Sequence, residues 1–344
     1  MYYVILGFLW VSLLIYILTG GADYGAGILE WFSAKKYREQ IRNNGYHAIG
    51  PVWEANHMWL IIAVVIMFVG FPQIYSLVAI YLHIPLVLML VGIIARGTAF
   101  SFRNYDAVKD ESQRLYSRIY IHSSFITPLF LGIIAGSAVS GQINPHANNF
   151  LDAYIYDWFN FFSVAVGLFT VFLCGFIAAV YLSGQVQETS EKAVYIQKTR
   201  LMTILGTISL IFVFSAARYQ HIPLIAWLLG SIISFTATLG ALIFFSLTWI
   251  SLKRKGQITV RLLLAVTIGL LWIAVTYGHF PNIIILKSGS TLSLLDSNVP
   301  KGTIIALGTA LLVGSIFILP SLFYLLYSFN KKDPGDYVND QSPL

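Results

Sequence analysis

Charge is scarce in this 344-residue chain: only 10% of the residues are Asp, Glu, Lys or Arg, whereas 57% are hydrophobic. A soluble protein carries about 25% charged residues, so the chain has too little polar surface to cover a water-exposed globule of this size. The mean hydropathy of +0.75 points the same way. These figures exclude a soluble enzyme, and they equally exclude a disordered or collagen-like chain.

Cysteine and the common catalytic signatures are scarce as well. The single cysteine, Cys174, lies within an apolar run, so neither a disulfide framework nor a cysteine metal cluster can form within the chain. No phosphate-binding loop, dinucleotide-binding glycine pattern, His-Glu-x-x-His or Gly-x-Ser-x-Gly motif occurs. The sequence therefore shows no self-contained catalytic site.

Long apolar runs make up most of the chain. A membrane-spanning helix needs about 20 mostly apolar residues, and nine segments meet that requirement. They lie at about 4–30, 52–71, 76–100, 119–140, 159–183, 201–218, 223–250, 261–280 and 303–329. Aromatic residues, at 15%, suit a chain that meets two membrane interfaces. We therefore predict an all-α polytopic membrane protein in which residues 1–344 form a single transmembrane subunit.

The basic residues divide unequally between the alternating loops of this arrangement. Of the 21 lysines and arginines, 18 fall on one side and only Arg218, Lys287 and Lys301 fall on the other. Because basic loops remain in the cytoplasm, this distribution predicts an N-terminus outside the cell and a cytoplasmic C-terminus. Topology also accounts for the net charge of +6, so no nucleic-acid partner is predicted.

Among the ionisable side chains within predicted spans, four fall at a similar depth near the predicted cytoplasmic side. They are Asp23 in span one, Glu54 and His57 in span two, and Arg96 in span three. Ionisable groups inside a bilayer are costly and mark functional sites. A buried carboxyl can hold a proton at the pH values where histidine titrates, so this set fits proton handling. The alternatives are helix packing for Asp23, a favourable helix dipole for Glu54 and membrane anchoring for Arg96.

The densest polar segment, residues 50–59, opens span two with the sequence GPVWEANHMW. Glu54 and His57 are three residues apart and therefore share one helix face. The same spacing occurs in di-metal helix bundles, which need a second copy on another helix. No other glutamate here precedes a histidine by three residues, so no metal site is predicted. Trp53, Asn56 and Trp59 are predicted to shape the region around the pair.

Three stretches give the sequence a resemblance to subunit II of the cytochrome bd-type quinol oxidases. They are residues 21–27 (GADYGAG), residues 50–60 and residues 96–103 (RGTAFSFR). The resemblance extends over most of the chain and includes nine spans in the same orientation. It implies a complex in the bacterial or archaeal cell membrane that oxidises quinol, reduces O2 to water and builds a proton gradient.

The resemblance also implies cofactors and partners. In that family the haems b and d and the quinol site belong mainly to subunit I, so no haem ligand is assigned among the histidines of this chain. The implied partners are subunit I, a small single-span subunit, the lipid bilayer and, through the complex, quinol and O2; a structural quinone is compatible with the family. We predict that Glu54, with Asp23 and His57, lines a cytoplasmic proton or oxygen path, supported by Arg96.

This chain departs from the family pattern at three positions. The family commonly has Asp where Glu54 stands, an acidic residue at the position of Gly20, and another polar residue in place of His57. The second departure weakens a two-carboxylate route through span one. Three alternatives stay open: a secondary transporter with a midplane polar site in broken helices, an independent haem enzyme, and a structural scaffold. No second break matching Gly20 and Gly21 is found in the other half of the chain.

Overall fold

The computed structural model of this chain describes residues 1–50, 53–105, 112–186, 189–254, 257–296 and 298–331. Within these ranges nine helices are long and apolar enough to cross a membrane, as predicted. The predicted first residue of span two, Val52, and the basic residues Lys109, Lys255 and Lys332 lie outside the described ranges. The chain is a multi-pass membrane protein of the all-α class.

The described residues contain nine spanning helices and six shorter elements. The spanning helices are α1 (Tyr2–Trp31), α3 (Trp53–Gly70), α5 (His83–Tyr105), α6 (Ser112–Val139), α8 (Phe161–Ser183), α9 (Thr189–Tyr219), α11 (Ile232–Arg254), α12 (Gln257–His279) and α13 (Lys301–Lys331). The shorter elements are α2 (Lys35–Ile49), α4 (Pro72–Tyr81), α7 (Phe150–Tyr154), α10 (Leu224–Leu229), β1 (Asn282–Ile285) and β2 (Thr291–Ser293).

Two predicted spans are each divided into two helices. The predicted span 76–100 breaks at Leu82, between α4 and α5. Pro85 explains this break because it has no N–H to donate to the carbonyl of Tyr81, whereas proline is tolerated in the first turn of a new helix. The predicted span 223–250 breaks between α10 and α11, where the hydroxyl of Ser231 accepts a hydrogen bond from the N–H of Ser234 at 3.0 Å. Hydropathy alone does not register either interruption.

The central helix of the bundle is α8, which packs against α1, α6 and α9. Other close pairs are α5 with α6 and α11 with α12, while α3 and α13 lie along α1. A Cβ atom at Gly25 of α1 would collide with the carbonyl oxygen of Cys174 on α8. Glycine therefore lets the two backbones touch, which is the close helix approach that the spacing of Gly21 and Gly25 predicts.

The polar segments gather at the two ends of the bundle. At one end, which we call the basic side, α1 ends, α3 begins and α2 carries Lys35, Lys36 and Arg38. The other end is the hairpin side, where β1 pairs antiparallel with β2. A bridge between Ile143 and Leu286 ties this hairpin to the loop after α6. The hairpin is an addition to the predicted helices, because three- and four-residue strands leave little trace in hydropathy.

A buried carboxyl lies on the hairpin side. Asp157, between α7 and α8, is 0% exposed. Its Oδ1 accepts a hydrogen bond from the backbone N–H of Asn144 at 3.2 Å, while its Oδ2 has no partner among the described residues. Burial raises the pKa of Asp157 to about 6, against the opposing effects of the Asn144 N–H and the charge of Lys287. Near neutral pH this carboxyl therefore carries a charge that its surroundings disfavour.

Replacing Asp157 with asparagine should stabilise the protein at neutral pH. The pKa is about 6 in the folded chain and about 3.9 in an unfolded one, so the folded state binds more protons between these values. The free energy of unfolding therefore falls as the pH rises through this window. Asp157→Asn keeps the acceptor for Asn144 without the charge, and we expect a gain of about 1–3 kcal/mol at pH 7.

The gain can be measured as the apparent melting temperature of the detergent-solubilised protein between about pH 4 and pH 7. Asp296→Asn, at an exposed position on the hairpin side, is the matched control. The melting temperatures of Asp157→Asn and wild type should be similar at the acidic end of this range, and that of Asp157→Asn should be higher at the neutral end. Equal melting temperatures for Asp157→Asn and wild type at pH 7 would contradict this account of Asp157.

Candidate functional site

A buried ion pair joins two of the predicted site residues. Both terminal nitrogens of the Arg96 guanidinium reach the carboxylate of Asp23, with Nη1–Oδ2 at 2.7 Å and Nη2–Oδ1 at 2.6 Å. Neither side chain is exposed by more than 1%. The Nη2 group also donates to the backbone carbonyl of Asp23 at 2.8 Å. Two-point contact of this kind fixes both the distance and the orientation of the pair.

Helix α6 completes the surroundings of Arg96. The Nε atom donates to the hydroxyl of Ser124 at 3.1 Å, and Nη2 lies 3.1 Å from the hydroxyl of Tyr120. A Cβ atom at Gly27 would collide with the Ser124 side chain, so this glycine allows α6 to approach α1 at the level of the pair. The donors of Arg96 are thus matched by acceptors from α1 and α6, as a charge inside an apolar bundle requires.

A second ion pair joins the same two helices, α1 and α5, closer to the basic side. The Nη1 atom of Arg103 donates to Oε2 of Glu30 at 2.9 Å, and Nη2 of Arg42 donates to Oε1 at 3.2 Å. The ring of Tyr120 lies between the two levels, 4.8 Å from Cζ of Arg96 and 3.9 Å from Cζ of Arg103. We call these two pairs, with Arg42 and Tyr120, the ion-pair network.

Sequence reasoning identified Asp23 and Arg96 but missed Glu30 and Arg103. The sequence places Glu30 at the end of span one, and it shows Arg103 as a basic residue and as the last residue of the stretch 96–103, but it predicts no ion pair for either. A signal was present, because both acids on α1 and both arginines on α5 are seven residues apart. Seven residues are about two helical turns, so the two acids share one face of α1 and the two arginines share one face of α5.

His57 lies beside the ion-pair network without joining it. Its ring is 6.2 Å from the ring of Tyr24 and 6.3 Å from that of Tyr16. The hydroxyls of Tyr16 and Tyr24 are hydrogen-bonded at 2.8 Å. The Nδ1 atom of His57 is buried and has no hydrogen-bond partner among the described residues. The Tyr24 ring also lies 5.1 Å from Cζ of Arg96, which places His57 one ring away from the network.

Glu54 occupies a different environment from the other acids. It is exposed in the first turn of α3, and no ion pair of Glu54 occurs among the described residues. The exposed residues Ile61, Val65 and Phe68 continue along the same face of α3. The structure therefore brings together Asp23 and Arg96, with His57 close by, and places Glu54 at the edge of an apolar outer surface.

The three predicted supporting residues of α3 differ in what they contact. The Trp53 ring lies tilted against the ring of Phe100, with 5.3 Å between their centres, and it would touch any side chain added at Gly97 of α5. Asn56 is buried, with Nδ2 3.5 Å from the carbonyl oxygen of Thr19. Trp59 belongs to the main hydrophobic core. All three contacts tie the first turns of α3 to its neighbours.

In the described residues the histidines do not gather into a metal-binding cluster. Three of them place Nδ1 within 2.6–2.9 Å of a backbone carbonyl three or four residues earlier: His83, His122 and His279. No group of three His, Cys, Asp or Glu side chains could hold a metal ion in this part of the chain.

Removing one member of the Asp23–Arg96 pair should strongly destabilise the protein. Arg96→Leu leaves the buried carboxylate of Asp23 unpaired, and breaking a buried pair in this way costs about 3–5 kcal/mol. The double variant Asp23→Leu/Arg96→Leu should recover most of this loss, because an apolar pair leaves no buried charge. The measurement is the melting temperature in detergent, with Arg118→Leu, an exposed position on α6, as the control. A double variant no more stable than Arg96→Leu would show that the unpaired charge is not the cause.

Known proteins of one family resemble this chain. The family of cytochrome bd terminal oxidase subunit II matches residues 1–329. Subunit 2 of the cytochrome bd ubiquinol oxidase of Bacillus subtilis is 25% identical, over 96% of this chain and 98% of that protein. Subunit 2 of the Escherichia coli K12 cytochrome bd-I ubiquinol oxidase is 26% identical, over 52% of this chain and 49% of that protein.

A solved structure shares the fold. The bd oxidase from Geobacillus thermodenitrificans contains a chain that matches with a TM-score of 0.76 and 20% identity, covering 96% of this chain and 99% of that chain. The family match and the full-length relative agree with this likeness along almost the whole sequence. We conclude that this chain belongs to the cytochrome bd terminal oxidase subunit II family and is a subunit of a quinol oxidase complex, a membrane-bound oxidoreductase.

Proposed function

We propose that this subunit provides the cytoplasmic entry of a proton path in the oxidase complex. Glu54 receives protons at the membrane surface, His57 takes them one helical turn deeper, and Asp23 supplies a fixed negative charge next to the route. The haems b and d and the site of quinol oxidation lie on subunit I in this proposal. Reduction of O2 then consumes protons from the cytoplasm, while quinol oxidation releases protons on the opposite side.

One observation carries this proposal: an exposed carboxylate stands one turn before a buried, unpartnered imidazole nitrogen. Glu54 is accessible at the end of α3, and the Nδ1 atom of His57 has no hydrogen-bond partner among the described residues. A proton carrier needs a site that can gain and lose a proton without breaking a strong contact. Glu54 and His57 have that freedom, whereas Asp23 is held at two points by Arg96.

The proposed orientation follows from the distribution of basic residues. The basic side of the bundle carries α2 with its lysines and arginines and also the first turn of α3. Because basic loops remain in the cytoplasm, we place this side in the cytoplasm of a bacterial cell. Protons taken up there and released on the hairpin side would create a membrane potential without a separate pump.

Subunit I is the proposed cover for the outer face of α3. Ile61, Val65 and Phe68 form an exposed apolar stripe that leads away from Glu54. A carboxylate at the edge of such a stripe is stabilised when protein and water, not lipid, surround it. Contact with subunit I along this stripe would shield Glu54 from lipid and direct its proton toward the partner.

The proposal is tested by Glu54→Gln in the assembled complex at matched haem content. We expect quinol oxidase turnover to fall by about tenfold or more, because glutamine cannot carry the proton. Glu54→Asp keeps the carboxylate and should retain most of the turnover. Proton uptake from the cytoplasmic side, followed in proteoliposomes, should fall in parallel with turnover.

The matched control is Glu39→Gln, an exposed acid on α2 at the same side of the bundle. This variant changes the net charge by the same amount but should leave turnover unchanged. If Glu54→Gln turns over at the wild-type rate throughout about pH 5–8, the range in which histidine titrates, the proton path through Glu54 is wrong.

A further inference from the structure

Three aromatic rings meet next to the proposed proton path. The ring centres of Tyr16, Tyr24 and His57 are separated by 6.5, 6.3 and 6.2 Å, so they form a nearly equilateral triangle. Tyr16 and Tyr24 are only 3% and 2% exposed. Their hydroxyl groups meet at 2.8 Å, although they are eight residues apart on α1.

The hydrogen bonds in this triangle are incomplete. A tyrosine hydroxyl donates once and can accept twice, so the Tyr16–Tyr24 pair uses one of its two hydrogens and leaves the other free. The Nδ1 atom of His57 is buried and has no partner among the described residues. Buried nitrogen atoms in proteins are hydrogen-bonded, either to protein or to ordered water. One hydroxyl hydrogen of the tyrosine pair and the Nδ1 atom of His57 therefore remain available for hydrogen bonding.

We propose that the Tyr16–Tyr24 hydroxyl pair positions His57 through one ordered water molecule. The water bonds to Nδ1 of His57 and to a tyrosine hydroxyl, and so fixes the orientation and tautomer of the imidazole. Such a site has the two or more polar partners that a buried water needs. The tyrosines are positioning residues here, because they act on the proton path only through His57.

The charges around this triangle explain why the imidazole needs such a support. Asp23 and Arg96 carry opposite charges and are paired with each other next to the ring of Tyr24. The Tyr24 ring lies against Arg96, with 5.1 Å between its centre and Cζ, and Glu54 precedes His57 on its own helix. In this proposal the hydrogen bond at Nδ1 holds the imidazole in one orientation beside these charges, and we expect its loss to change the pH range in which His57 exchanges its proton.

This inference rests on the proposed function, and its test uses the assembled complex with matched haem content. Tyr16→Phe and Tyr24→Phe each remove one hydroxyl and keep the ring. One hydrogen bond corresponds to about half to one pH unit, so each variant should move the pH profile of turnover by that amount, in the same direction. Tyr195→Phe is the control, because its buried hydroxyl accepts a hydrogen bond from Asn44 at 3.1 Å, away from His57.

A double variant separates positioning from a general structural effect. In a His57→Gln background, adding Tyr24→Phe should cause no further shift of the pH profile, because the residue being positioned is gone. An experimental structure of the wild-type complex should show an ordered water within about 3 Å of Nδ1. An unchanged profile in both tyrosine variants would overturn the inference, as would a shift of the same size in the His57→Gln background.

The outcomes also distinguish this inference from the proposed function. If Glu54→Gln slows proton uptake while both tyrosine variants keep the wild-type pH profile, the proton path stands and the positioning role is wrong. If Glu54→Gln and His57→Gln are both silent, the proton path itself is wrong. Failure of both tyrosine variants to assemble with their haems would assign the hydroxyl pair a structural role instead.

Discussion

The buried pair of Asp23 and Arg96 is the constraint around which the first part of the bundle is arranged. A carboxylate and a guanidinium inside an apolar layer are tolerated only when each finds its partners. That requirement fixes α5 against α1, brings α6 close enough for Ser124 and Tyr120 to complete the contacts, and demands a glycine at position 27. The small residues of span one are therefore explained by the ion pair they surround as much as by helix packing alone.

The polar residues of this region fall into two systems with different properties. Arginine stays protonated in proteins, so a proton cannot pass along a chain in which Arg96 and Arg103 are links. The ion-pair network is therefore a fixed scaffold of charge, and a proton route has to run beside it. Glu54 and His57 lie on that route in our proposal. Membership of the oxidase family leaves no need for the transporter or the independent haem enzyme as alternatives.

Much of the fold could be predicted from the sequence, because apolar length and basic loops respond directly to the bilayer. The same properties do not report where a helix breaks, which at Leu82 depends on the missing N–H of Pro85. Side-chain partners were harder to predict. Asp23 and Arg96 stood out as charges within spans, but Glu30 and Arg103 lie at span ends, where charges are common. Whether Glu54 faces the core or the outside depends on the rotation of α3 about its axis. Because α3 is apolar on most of its surface, its sequence pattern does not define that rotation.

The long separation in sequence between Asp23 and Arg96, and between Glu30 and Arg103, has a consequence for biosynthesis. Asp23 and Arg96 are 73 residues apart, as are Glu30 and Arg103. At about 5–20 residues per second, roughly 4–15 seconds pass between synthesis of the acids and synthesis of their arginines. During this interval Asp23 has no ionic partner, and Glu30 has only Arg42, which lies 12 residues further along the chain. The buried charges of the first span are therefore fully paired only after the span that carries Arg96 and Arg103 has been synthesised.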